Sequence, residues 1–262
     1  MRKKLRGFLL LAGISCMLAA DTMTSLAAGW EQSGEGWYYH ANSGNFLDSS
    51  WVCDNGKNYY LGADGRMLTG EHFIGYRTCE FDGSGALVRE GEVQETPGLD
   101  RTILQEAQTA VQEHWSAIVA GYDLINQERT KNGALPVILN YDLCVAAAYR
   151  CHQMEAVRQQ TGEFFYSGPD ESGQMLWNTV PRAVTGDALY AGTENKSFVQ
   201  GWRIYKGDHG TANLTALLKD QFTSEPHYLQ VIGHEYGQIG IAIRYGEDNQ
   251  TYYIAEEIKI GE

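Results

Sequence analysis

The pattern of apolar and polar positions changes twice along the chain. Between residues 29 and 88, short aromatic or apolar patches alternate with Gly, Asn and Asp. Trp30 stands 21 residues before Trp51, Tyr38 before Tyr59, Tyr39 before Tyr60, and Gly44 before Gly65. The same step carries Tyr60 onto Phe81 and defines a third, decayed unit. Each unit has paired aromatics, a turn sequence and a short apolar patch, which predicts a small β-hairpin. A lone hairpin is marginal in water, so the units are expected to stack on neighbours.

After residue 101 the period becomes helical. Ile103, Ala107, Val111, Trp115, Ile118, Val119, Tyr122 and Ile125 return every three or four positions, with a capping box from Thr102 to Gln105 and an interruption near Ala120 and Gly121. Lys131, Asn132 and Gly133 end this helix, Pro136 keeps the next stretch extended, and Asn140 or Asp142 caps a second helix. Leu143, Ala146, Ala147, Cys151 and Met154 form its apolar face. Near the C-terminus Ile239, Ile241, Ile243 and Tyr245 alternate, a turn follows, and Tyr252, Ile254, Ile258 and Ile260 alternate back, which predicts an antiparallel hairpin with one buried face. Helices followed by antiparallel strands predict an α+β layer fold, preceded here by a small all-β hairpin-repeat module.

Two segments are set apart. Residues 1–28 have a basic start (Arg2, Lys3, Lys4, Arg6), an apolar run from Phe8 to Ala20 and small residues at Ser25, Ala27 and Ala28, the layout of a secretory signal peptide. The run is short for a bilayer span, so the mature protein is expected to be exported without a membrane span. Residues 89–101 carry six charges and a Pro and are expected to form a solvated linker. The expected division is therefore 1–28 signal peptide, 29–88 repeats, 89–101 linker and 102–262 second domain.

Composition sharpens this picture in three ways. The chain has 33 acidic and 20 basic residues, a net charge of −13; losing the leader's four basic residues and one acidic residue takes it to −16. That balance argues against nucleic acid, whose backbone is bound by Lys and Arg. It also means that attachment to an anionic polymer has to come from specific contacts and not from bulk charge. Eleven of the 30 aromatic residues fall in residues 29–88, so the repeats are an aromatic surface as well as a boundary. The five cysteines make no framework: Cys16 leaves with the leader, and Cys144 and Cys151 sit two helical turns, about 10 Å, apart, beyond disulfide reach. Cys53 and Cys79 either pair across hairpins or stay free.

Asp54, Asn55, Gly56, Lys57, Tyr59, Tyr60, Asp64, Gly65 and Met67 resemble, in register, the choline-binding or cell-wall-binding repeats of Gram-positive surface proteins. In that family aromatic residues of successive hairpins cage a choline group through cation–π attraction. The resemblance implies Trp30, Trp37, Trp51 and Tyr59 as cage residues with Met67 as a floor, and a cell-wall polymer, choline-bearing or not, as partner. Asn58 departs from the pattern, which has Trp there, and Arg77 to Glu80 stand where the third unit should be aromatic.

The run from Leu124 to Ala156 is similar to the opening helices of bacterial CAP (SCP-like) domains, with Asn126, Arg129, Gly133, Pro136 and Leu143 in matching places. Thr193, Glu194 and Asn195 stand where that family has Gly-Glu-Asn, and Ser224 with His227 matches its Ser-x-x-His motif. The resemblance implies an α-β-α sandwich with a shallow cleft that in many members binds a divalent metal such as zinc through two His and two Glu. Here Tyr166 takes the place of the first His, and neutral phenol is a poor ligand. No cofactor is therefore expected, and Tyr166, Glu194 and His227 are the candidate cleft residues for a peptide, glycan or lipid-like ligand. A hydrolase with His227 as general base and Glu194 orienting it is the other reading; no nucleophile is evident, since GxSxG is absent and His234-Glu235 lacks the second His of HExxH.

Overall fold

A computed structural model describes residues 28–41, 44–161, 184, 197–206, 218–219, 222–223, 228–229, 231–233, 236–245 and 250–259. Three hairpins open it: β1 (Gly29–Ser33) with β2 (Gly36–His40), β3 (Ser50–Asp54) with β4 (Lys57–Leu61), and β5 (Gly70–Ile74) with β6 (Arg77–Phe81), the last extended by β7 (Leu87–Glu90). In the second hairpin the turn residues Asn55 and Gly56 both take positive φ, 50° and 74°, the conformation a tight two-residue hairpin turn demands.

The repeat is real, but its third step is 20 residues and not 21. Ala41–Asn45, Gly62–Arg66 and Asp82–Ala86 close the same hydrogen-bonded turn after each hairpin, and the register pairs Trp30 with Tyr39, Trp51 with Tyr60, and Glu71 with Glu80. Phe81 is thus the counterpart of Leu61 and not of Tyr60. The missing residue falls in the loop, which has nine residues between β2 and β3 but eight between β4 and β5, so the third hairpin keeps the register of the first two and its own sequence puts Glu71 and Glu80 in the places of the Trp–Tyr pair. Arg89 offsets their repulsion, 2.7 Å from Glu80 and 3.8 Å from Glu71.

Helices α1 (Arg101–Glu113), α2 (Trp115–Lys131) and α3 (Tyr141–Thr161) follow. The cap of α1 is Asp100, whose carboxylate accepts the Thr102 and Ile103 N–H groups, and not the Thr102 box; a carboxylate is the stronger acceptor, and Tyr149 Oη pins the Asp100 N–H at 2.9 Å. The helix breaks at His114 and not near Gly121. That break lays α1 on α3 and sends Trp115 toward the second hairpin, where its indole N–H donates to the Gly56 carbonyl at 2.8 Å. Asn132 and Gly133 stop α2 as expected. Of the two expected caps of α3, Asn140 does the work, accepting the Leu143 N–H at 3.2 Å.

The sheet has the order β8 (Ile138–Leu139), β10 (Tyr236–Tyr245), β11 (Gln250–Lys259), β9 (Ser197–Lys206), with β8 parallel to β10 and the rest antiparallel. Ile239, Ile241 and Ile243 alternate as expected and are buried. From Tyr141 to Cys151, α3 is buried on every side and not on one face, because α1, the sheet and the hairpins all surround it. At Gly240 a β-carbon would collide with the Leu143 backbone, so the sheet lies directly on the helix. The architecture is α+β behind an all-β repeat module. Among the described residues no helix is long and apolar enough to cross a membrane.

The stretch 89–101 differs from a solvated linker. It begins inside β7, Val93 is fully buried, Gly91 and Gln94 donate backbone hydrogen bonds to Thr78 and Tyr76, and Arg101 already belongs to α1. Its charges do not all face solvent: Glu90 is paired with Arg77 inside the protein.

Candidate functional site: the aromatic surface and its clamp

The first two hairpins meet along an aromatic seam. Trp30 packs edge-on against Tyr39 of its own hairpin and against Tyr59 of the next, with ring centroids 5.1 Å apart in both cases. Trp30, Tyr39, Leu47 and Met67 cover a small core of Ala41, Val52, Leu61 and Ile138. Trp37 is 43% exposed, and its carbonyl accepts the Met67 N–H at 2.8 Å. The structure therefore brings Trp30, Tyr59, Met67 and Trp37 to one region. Burial, then the charges of Asp54 and Asp82, raises the Tyr59 phenol above its ordinary value; those carboxylates favour a cationic guest beside the rings.

Trp51 does not belong to this surface. It lies on the opposite face of its hairpin and is 1% exposed, with its ring against Tyr60, Phe81 and Tyr141. A ring covered in this way is core and offers no face to a ligand. The second hairpin has two jobs, one face for the first hairpin and the other for the helices.

That second face holds a clamp. Arg77 is fully buried, with Nε 2.7 Å from Glu90 and Nη1 2.7 Å from Asp142, and its guanidinium lies over Tyr76 at 4.3 Å and Trp51 at 5.3 Å. Glu90 also accepts hydrogen bonds from Tyr141 Oη at 2.7 Å and Gln112 Nε2 at 2.6 Å. Burial alone would raise the Glu90 carboxyl, but Arg77 and these donors hold it below the ordinary glutamate value. One residue from β6 is thus tied to β7, α1 and the start of α3. Ser50 Oγ adds a bond to Gln238 of β10 at 3.2 Å. A single hydrophobic cluster runs from Trp51, Ile74, Tyr76 and Phe81 through α1, α2 and α3 to Ile241 and Ile243.

The Asn-x-x-Arg residues on α2 have a structural task. Asn126 exchanges two bonds with the Val137 backbone, at 2.8 and 3.0 Å, while Arg129 donates to the Leu135 and Val231 carbonyls at 2.8 and 2.7 Å. They pin the loop that delivers β8. Cys53, Cys79 and Cys144 are free and buried, and Cys151 is buried too; burial pushes the Cys53 and Cys79 thiols up to about 12, so both are protonated and inert at neutral pH. Tyr166, Glu194 and His227 lie outside the described residues, and among the described residues no group of three or more His, Cys, Asp or Glu could hold a metal ion.

The chain is an α+β body fused to aromatic hairpin repeats, and both parts have counterparts among known proteins. Residues 122–256, just over half the chain, match the CAP family, described as the cysteine-rich secretory protein family. The chain belongs to that family. Residues 28–46 and 49–67 match the cell wall binding repeat of the choline-binding type, which indicates association with the cell wall. The third hairpin is not matched, in keeping with its lost aromatics. Among solved structures the chain is similar to choline binding protein F from Streptococcus pneumoniae (36% identity over 23% of this chain and 20% of that one, TM-score 0.22). It is also similar to the cell wall endolysin from phage Cp-1 complexed with choline (32% identity over 24% and 25%, TM-score 0.16). An outer surface protein from Borrelia burgdorferi is 11% identical over 56% of this chain and 96% of that one, with a TM-score of 0.39. The chain spans about a quarter or less of the length of the first two. No curated protein matches significantly.

Proposed function

We propose that this is an exported protein that holds to a choline-bearing wall polymer through the seam of Trp30, Tyr59 and Met67, with Trp37 exposed beside it. Its CAP domain then presents a cleft at Tyr166, Glu194 and His227 to an extracellular peptide, glycan or lipid-like ligand. The observation that carries the first part is the packing of Trp30 on Tyr59 across two successive hairpins beside Asp54 and Asp82. Aromatic faces with nearby carboxylates suit a quaternary ammonium, which gains cation–π attraction without needing hydrogen bonds. The cleft rests on membership of the family and on the residues that match its motifs.

The test uses the whole mature chain, because a fragment ending near Leu87 would lose the helices that cover Trp51 and the partners of Arg77. The mature protein should sediment with purified choline-bearing walls and elute with free choline. Trp30→Ala and Trp37→Ala should each weaken wall binding by about tenfold, or 1.4 kcal/mol. Variants that sediment like the parent, or elution that ignores choline, would remove the reading.

A further inference from the structure

The clamp borders an open groove of about 490 Å³ where the turn of the second hairpin, β7, the end of α1 and Trp115 converge. This volume is in the range of small-molecule sites. We propose that the groove is a second binding site, one that takes a neutral glycan segment.

The chemistry of the lining supports that class. Asn58 holds in the second hairpin the register place that Trp37 holds in the first, opposite Cys53 as Trp37 is opposite Gln32. The smaller side chain leaves open what an indole would fill. Asn58 is 8% exposed, and its carboxamide oxygen is buried without a hydrogen-bond partner, an unmet acceptor that a ligand hydroxyl or amide donor would satisfy. Trp115 is fixed across the groove by its bond to Gly56 and offers an apolar surface. Val88, 58% exposed, adds another. Sugars carry both an apolar C–H face and hydroxyl or amide donors, which is the combination these walls accept.

Charge excludes the guest proposed for the first hairpin. The groove's carboxylate, Glu90, is neutralised by Arg77 and saturated by Tyr141 and Gln112, so it has no attraction left for a quaternary ammonium. Lys57 also lines the groove and opposes a cation. The site and the Trp30 seam are separate, so either proposal survives the failure of the other.

Calorimetric titration of the mature full-length chain with tetra-N-acetylchitotetraose tests this. The expected result is saturable binding, weakened at least about tenfold by Val88→Trp and unaffected by saturating choline. Because Val88 is exposed, a larger residue there fills the groove without entering the core; thermal melts check that the variant folds, and Val88→Arg serves as a second filler. Absence of binding by the parent chain, fillers that bind as tightly as the parent, or displacement of the sugar by choline would each overturn the proposal.

Discussion

Replacing Arg77 by Ala is expected to destabilise the folded chain by about 3–5 kcal/mol, read from urea unfolding, the cost typical of removing one partner from a buried ion pair. The variant leaves Glu90, whose side chain is 5% exposed, and Asp142, 4% exposed, without their common cation. It also strips the rings of Tyr76 and Trp51 of the guanidinium packed over them. The origin of the loss can be separated. Combining Arg77→Met with Glu90→Gln and Asp142→Asn removes charge from all three places and should recover much of the stability, because an uncompensated carboxylate costs more than an absent pair. If Arg77→Ala melts within about 1 kcal/mol of the parent, the pair behaves as an exposed one and does not clamp the two halves.

Trp51→Ala is expected to cost about 3–5 kcal/mol as well, the range for emptying a core indole site. Its repeat counterpart is the informative control. Trp30 is only part-buried and covers a smaller core, so Trp30→Ala should lose wall binding while costing clearly less stability. The two tryptophans occupy the same place in consecutive repeats, yet one serves the interior and the other the surface. Equal losses of stability, or a loss of wall binding with Trp51→Ala at a temperature where that variant is still folded, would contradict this division.

Much of the fold was legible because it follows from local periodicity. The stops at Asn132 and Gly133, the alternation of Ile239, Ile241 and Ile243, and the hairpin turns at Asn55 and Gly56 are each written in a few adjacent residues. What could not be read depends on contacts distant in sequence. Trp30 and Trp51 are indistinguishable by repeat position, and only the arrival of Tyr141, 90 residues beyond Trp51, decides which is core. The twenty-residue third step was hidden because Phe81 fits an aromatic place under either spacing, whereas the turn bonds of Asp82 and Ala86 settle it. Arg77 looked like decay in a repeat; its meaning lies in Glu90 and Asp142, residues that composition assigns to a linker and to a helix cap. A signal was available in the combination of an Arg at an inward strand position with an Asp at the start of an apolar helix, although nothing local pairs them. The cleft of Tyr166, Glu194 and His227 rests on motif order alone and lies outside the described residues.

Joining the repeats to the CAP domain in one core has a functional consequence. A module on a flexible tether lets its partner domain sample many orientations, whereas this clamp fixes the CAP domain relative to the aromatic hairpins. Amide hydrogen exchange of the native full-length chain, followed by mass spectrometry, tests that claim most directly. Amides of β3, β4 and β6 should exchange with the same opening free energy as those of α3 between Leu143 and Cys151, because one cooperative unit opens at once. Exchange from the second and third hairpins at a much lower free energy than from α3 would show two independent bodies and contradict the account.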